Sequence, residues 1–171
     1  RVLLWEAPAV AEMAMKTGMA RKNIDIDECK EQLAYRQGKG ERIRYFFQNK
    51  ARSSGGTKRV AVAEGEEQKV IRAAYQIEDE GIATPVLIGR ASVIEGILKN
   101  LGLDYQPQIV DPSTFERLDA YAKAFYELRQ RKGVMASDAV KKVQDPNIFG
   151  SLMVKMGDAD AFISGLTYDY P

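Results

Sequence analysis

Two short stretches of this chain hold residues whose types and spacing could do chemistry. Near its end, AFISGLTYDYP runs from apolar residues into Ser164-Gly165, then Thr167 and Tyr168. Small residues at the C-terminal end of a strand let a ligand approach backbone N–H groups, and a helix start at Pro171 would favour a phosphate or carboxylate there. Ser164 is the leading contact candidate, with Gly165 and Thr167 beside it; Ser-Gly is also a common turn pair. Far upstream, Glu64-Gly65-Glu66-Glu67 has the outline of a phosphate loop, a glycine in a tight strand-to-helix turn. Its three carboxylates suit a helix dipole but repel a phosphate, so it is not one. Either these acids cap and solubilise the helix, or Glu64 orients a ligand group or a partner arginine.

Other strand ends carry less. Arg90 follows Gly89 and could meet an anion, although a surface arginine is the default. Asp111-Pro112 reads as turn initiation, not as a general base. The chain has no histidine, which removes the commonest general base and transition-metal ligand, so Ser-His-Asp, Cys-His and His-metal sites cannot be built from it alone. Its one cysteine, Cys29, excludes an internal disulfide framework and fits a reducing, cytoplasmic compartment.

Composition sets the frame for these candidates. With 45% hydrophobic and 29% charged residues over 171 positions, the chain can bury one good core and carry an accessory segment. A net charge of +1 implies neither a nucleic-acid nor a membrane partner, and no run approaches the length of a membrane span. The start, RVLLWEAPAV, does not read as a signal peptide, and the polypeptide is expected to be a piece of something longer. Residues 36 to 59 hold eight Lys/Arg against the single acid Glu41, whereas from 60 onward 12 basic face 17 acidic residues. A basic connector therefore precedes an acidic domain. Within the connector, ERIRYFFQNK could stack bases between cations, but no RRM, KH or zinc spacing accompanies it. The better reading packs Ile43, Tyr45, Phe46 and Phe47 on a neighbouring domain, leaving Lys39, Arg42 and Arg44 able to serve a nucleotide phosphate.

The positioning elements follow from periodicity. Residues 9–20 predict a helix apolar on most faces, stopping at Thr17-Gly18, and Asp25 caps a second through Tyr35 with Glu28 as a capping-box partner. Ser53-Ser54-Gly55-Gly56 is a flexible joint and the main boundary, between 1–56 and 57–171. Beyond it, strands are predicted over 59–63, 85–88, 108–110 and 159–163, the last buried. Helices are predicted over 66–80, 92–100, 113–131 with Ser113 as cap, 137–144, and 146–156 opened by Pro146. Strands alternating with helices require crossovers, hence a mostly parallel sheet covered on both faces, a three-layer α/β/α class preceded by a helical connector. Ligands are expected at the strand C-terminal ends.

VAEGEEQKVIRAA (62–74), PVLIG (85–89) and YELRQRKGVMASDAVKKVQDPNIFGSLMVKMGDADAFISG (126–165) resemble, in order and spacing, the phosphotransacetylases. The resemblance implies an isopropylmalate-dehydrogenase-like fold of two α/β subdomains, of which this chain holds the first part, with acetyl-CoA and phosphate bound between them. Active members continue after Ser-Gly with Ala and a small loop rich in His, Ser and Thr. Here Leu166, Thr167, Tyr168, Asp169 and Tyr170 follow, bulky and anionic where an acyl phosphate would sit. That replacement, and WEAPAVAEMAMKTGMARKNIDIDECKEQLAY (5–35), are similar to the phosphotransacetylase-like region of large bacterial malic enzymes and its connector. This implies an NADP-dependent, decarboxylating parent enzyme needing Mg or Mn, whose catalytic and metal-binding residues lie upstream, outside this chain. The piece itself is then a non-catalytic, acetyl-CoA-sensing module that also supports homo-oligomerisation, partnered by the upstream dehydrogenase domains. Ser164, Gly165, Thr167, Tyr168, Glu64 and Gly65 are carried as its ligand-cleft residues. The alternatives are a truncated phosphate acetyltransferase and an interaction-only scaffold.

Overall fold

The structure, a computed structural model, describes residues 2–53, 55 and 58–168. Ser54 and Gly56 of the expected joint, and the expected helix start at Pro171 with Asp169 and Tyr170 before it, lie outside those residues. The chain divides into two compact units, Arg1–Ser54 and Gly55–Pro171.

The first unit holds three helices, α1 (Val2–Lys16), α2 (Ile26–Arg36) and α3 (Lys39–Ser53). α1 begins earlier than its sequence suggests, running through a buried Pro8; one missing N–H is tolerated where strong helix formers flank it. Asp25 caps α2 as expected, its Oδ1 accepting from the Asp27 and Glu28 amides at 2.8 and 3.1 Å. The capping box does not close, because the Glu28 carboxylate accepts from Gln32 instead. The basic stretch, for which no helix was predicted, is α3. Its Ile43, Phe46 and Phe47 sit at helical spacing and are each more than half exposed. Two of the cations considered for phosphate are internally engaged: Arg42 lies 5.3 Å over the Tyr35 ring and Arg44 pairs with Glu41.

The second unit runs β1 (Arg59–Val62), α4 (Gln68–Asp79), β2 (Thr84–Ile88), α5 (Ala91–Leu101), β3 (Gln108–Val110), α6 (Leu118–Arg129), α7 (Ala136–Val143), α8 (Pro146–Met156) and β4 (Ala161–Ile163). All pairings are parallel, in the order β3-β2-β1-β4. Ile71, Ala74, Ile94 and Leu98 of α4 and α5 cover one face of the sheet through Leu87. Tyr121, Phe125, Val143, Phe149 and Leu152 of α6, α7 and α8 cover the other through Val86 and Ile88. The fold class is thus α/β, with the three layers the alternating pattern requires. The second core is aromatic: Tyr121 stacks on Phe149 with centroids 5.0 Å apart, and Phe115 meets both edge-on. Burying a side chain of Phe149's size contributes roughly 1.5–3 kcal/mol. At Gly150 a Cβ would fall 2.1 Å from the Phe162 ring, so α8 lies directly on β4.

Three expectations are corrected. The long helix does not start at Ser113, because Asp111 Oδ1 takes the Ser113 amide and hydroxyl at 2.8 and 2.6 Å in a local turn, and α6 opens only at Leu118. It also stops at Arg129, giving way to a 3₁₀ turn over Gln130–Lys132. β4 is shorter than 159–163 and is not buried: it is an edge strand, and Ile163 is 54% exposed.

Candidate functional site

The strand order reverses between β1 and β4, since the chain winds outward from β1 to β3 and returns on the other side. In an open parallel sheet, the crevice at the C-terminal ends of such a strand pair is where ligands bind. The loops that border it are Glu64–Glu67 after β1 and Ser164–Tyr168 after β4. The N-terminus of α8, which packs on β4, adds Asp145 and Asn147.

Glu64 joins the two loops. Only 8% exposed, it accepts from the Gly165 amide at 3.2 Å, the Thr167 amide at 2.6 Å and the Thr167 hydroxyl at 3.1 Å. Burial alone would raise its carboxyl; the bonds from Thr167, Gly165 and Leu166 outweigh that and hold it below the usual carboxylate value. Glycine is required at two points. Gly165 has φ +123°, and a Cβ on Gly65 would meet the Ile88 carbonyl at 2.7 Å and its amide nitrogen at 3.0 Å. Ser164 donates its hydroxyl to Asn147 Oδ1. Tyr168, 37% exposed, has its phenol pushed up by burial and by the charges of Asp145 and Glu64.

All six cleft residues read from the sequence therefore lie at this crevice. The expected capping role of the acids after β1 is not what they do. The residue preceding α4, Glu67, makes no side-chain cap bond. Glu64 clamps the opposite loop, and Glu66 grips Arg90, accepting from its Nε at 2.9 Å, its Nη2 at 2.7 Å and its amide at 3.0 Å. The Arg90 guanidinium holds the Glu66 carboxyl down to about 2. Asp145 fills the start of α8, accepting from the Asn147 and Ile148 amides at 2.9 and 3.3 Å.

Sequence reasoning missed a groove of about 270 Å³ between α6 and α8. Phe125, Leu128, Ile148 and Leu152 give it apolar walls, Arg129 and Lys155 supply cations, and Asn147 belongs both to it and to the crevice. A signal was present, an apolar face on each helix with a cation in its last turn. Among the described residues no group of three or more Cys, Asp or Glu could hold a metal ion, and no helix is long and apolar enough to cross a membrane.

A doubly covered parallel sheet with its crevice at the β1/β4 reversal defines a three-layer α/β domain. The chain belongs to the phosphate acetyl/butaryl transferase family, whose model matches residues 43–171. It is 38% identical over 175 residues to a probable NADP-dependent malic enzyme of Rickettsia prowazekii (strain Madrid E), covering 99% of this chain and 23% of that protein. It is 39% identical over 114 residues to a phosphate acetyltransferase of Thermoanaerobacterium thermosaccharolyticum, covering 67% of this chain and 34% of that enzyme. Among solved structures it is similar to a phosphotransacetylase from Streptococcus pyogenes, with TM-score 0.63 and 33% identity over 67% of this chain and 35% of that one. The chain thus spans about a quarter of the malic enzyme and a third of the acetyltransferase that it matches.

Proposed function

We propose that this chain is the acetyl-CoA-responsive regulatory part of an NADP-dependent malic enzyme, binding its effector without turning it over. The observation that carries the reading is the extent of the similarity. The malic enzyme aligns with 99% of the chain, the whole helical unit included, whereas two phosphate acetyltransferases align with 67% and 84% of it. In this reading residues 1–56 connect an upstream dehydrogenase part to the domain at 57–171. NADP and the divalent metal serve that upstream part, and the domains associate into a homo-oligomer. The α6/α8 groove takes the apolar arm of the ligand, with Arg129 and Lys155 for its phosphates. The crevice beside Asn147 and Ser164 takes the acyl end. One feature supports binding without turnover: the crevice is lined by Glu64, Asp145 and Tyr168.

The test uses the full-length protein that carries this chain. Acetyl-CoA is expected to lower malate oxidation, and Arg129→Ala to weaken that inhibition without changing the uninhibited rate. Inhibition unchanged by Arg129→Ala and by Ser164→Ala would overturn the site assignment. The second reading, a phosphate acetyltransferase, rests on the 39% identity to such an enzyme. It requires acetyl phosphate to form from acetyl-CoA and phosphate.

A further inference from the structure

The crevice already contains an anion, and it belongs to the protein. Two amides and a hydroxyl of the loop after β4 converge on the Glu64 carboxylate, the arrangement a backbone nest offers to a bound phosphate. The α8 N-terminus, a second anion-favouring group nearby, is filled by Asp145 in the same manner. Arg90, beyond β2, is held by Glu66 in a bidentate pair. The Gly165 and Thr167 donors, the Asn147 and Ile148 amides and the Arg90 guanidinium are thus spent on carboxylates of the same chain. A free phosphate approaching Gly165 would have to displace a buried, charge-assisted acceptor.

We propose that Glu64 is a positioning residue whose carboxylate holds the Ser164–Tyr168 loop in place and excludes phosphate from that loop's amides, so that the crevice admits an uncharged or hydrogen-bond-donating part of a ligand. The proposal rests on reading this crevice as a ligand site. The clamp spans the strand pair at the topological reversal, and its seat is fixed from behind, because Gly65 lies against the Ile88 backbone with no room to shift. A carboxamide at position 64 keeps the shape and removes the charge. It would turn an amino group toward the loop donors or offer them a weaker acceptor.

The experiment is amide hydrogen exchange on the full-length protein, wild type and Glu64→Gln, with and without inorganic phosphate. In the wild type the Gly165 and Thr167 amides are expected to exchange slowly and to ignore phosphate. In Glu64→Gln they are expected to exchange roughly tenfold faster, to slow again when phosphate is added, and to leave the β2 amides of Val86 to Ile88 unchanged. Phosphate protecting the wild-type loop as well as it protects the variant would overturn the proposal, as would loop amides already unprotected in the wild type. Should Glu64→Gln not fold, Thr167→Val removes one donor at an exposed position and is expected to speed exchange at Gly165; no change there counts against the clamp. Calorimetric titration of acetyl-CoA separates the two readings. No binding with protected loop amides defeats the regulatory function and leaves the clamp, and binding with unprotected amides does the reverse.

Discussion

β1 and β4 are tied together at both ends, by opposite means. At their N-terminal ends the tie is open to water. Asp160 accepts from the Arg59 amide at 2.8 Å and from Lys58 at 3.1 Å, with the lysine 66% and the aspartate 36% exposed, while Arg59 Nη2 donates to the Gly157 carbonyl at 2.8 Å. At their C-terminal ends the tie is one buried carboxylate on backbone amides, with no cation among its hydrogen-bond partners. Exposed pairs contribute little and are screened by salt. A buried acceptor is different, because removing it leaves donors to find water in a site shaped for something else. Strength is thus concentrated where the crevice opens, and that is the end at which a ligand is expected.

The comparison is broken most severely at Gly65. Gly65→Ala puts a methyl group 2.7 Å from the Ile88 carbonyl oxygen, and both atoms belong to backbone that the sheet holds. The expected loss is about 3 kcal/mol, the upper range for overpacking, read as a drop in the urea midpoint. A loss well under 1 kcal/mol would mean that the β1 loop is free to retreat from β2, and that the clamp has no fixed seat.

Glu64→Ala comes next, with an expected loss of about 2 kcal/mol for a charge-assisted acceptor of several bonds. Its pH signature is distinctive. The folded-state carboxyl titrates below its ordinary value of 4.5, so the clamp's stabilisation is present above that value and is lost as pH falls through the lower, folded-state value. In Glu64→Gln the acid limb of the stability profile flattens, leaving the contributions of Glu66, Asp158, Asp160 and Glu12, whose carboxyls are also held low. An unchanged acid limb would show that Glu64 does not bind its partners as an anion.

Much of this arrangement was legible in the sequence, and the rest was hidden for physical reasons. β3 and α8 lie where their apolar runs and Pro146 place them, since strand length and a proline at a first helical turn are local signals. α3 was not legible because its charged residues mask a helical row of Ile43, Phe46 and Phe47. The start of α6 was misplaced because Ser113 can serve either a helix or Asp111, and only the fold decides which. Glu64, Gly65, Ser164 and Gly165 could be recognised as strand ends. Their meeting could not, because Glu64 and Gly165 are 101 positions apart and a fourth parallel strand can pair on either edge of the sheet. The strand order, set by the crossover through α6 to α8, decides that a carboxylate and the Ser164–Tyr168 loop face each other.

A smaller effect belongs to Asn147, which receives the Ser164 hydroxyl and stands between crevice and groove. Asn147→Ala is expected to cost about 1 kcal/mol in urea unfolding, and to loosen the Ser164 amide in exchange while Gly165 and Thr167 keep their protection. Loss of protection at all three would show that the loop has one anchor with two parts, and that Glu64 does not hold it independently.

The smallest effect sharpens the comparison from its other end. Asp160→Asn removes the charge that pairs with Lys58 but keeps an acceptor for the Arg59 amide, so the urea midpoint is expected to move only slightly. Salt is the discriminating variable. The wild type should lose the Lys58 contribution as ionic strength rises, until it matches Asp160→Asn, because this pair lies in solvent where charges are screened within about 10 Å at 0.1 M salt. The gap between wild type and Glu64→Ala should persist over the same range, since the Glu64 acceptor is buried and its partners are dipoles. A Glu64 gap that closed with salt would place that carboxylate in contact with solvent ions, and the two ends of the strand pair would then be held by the same kind of force.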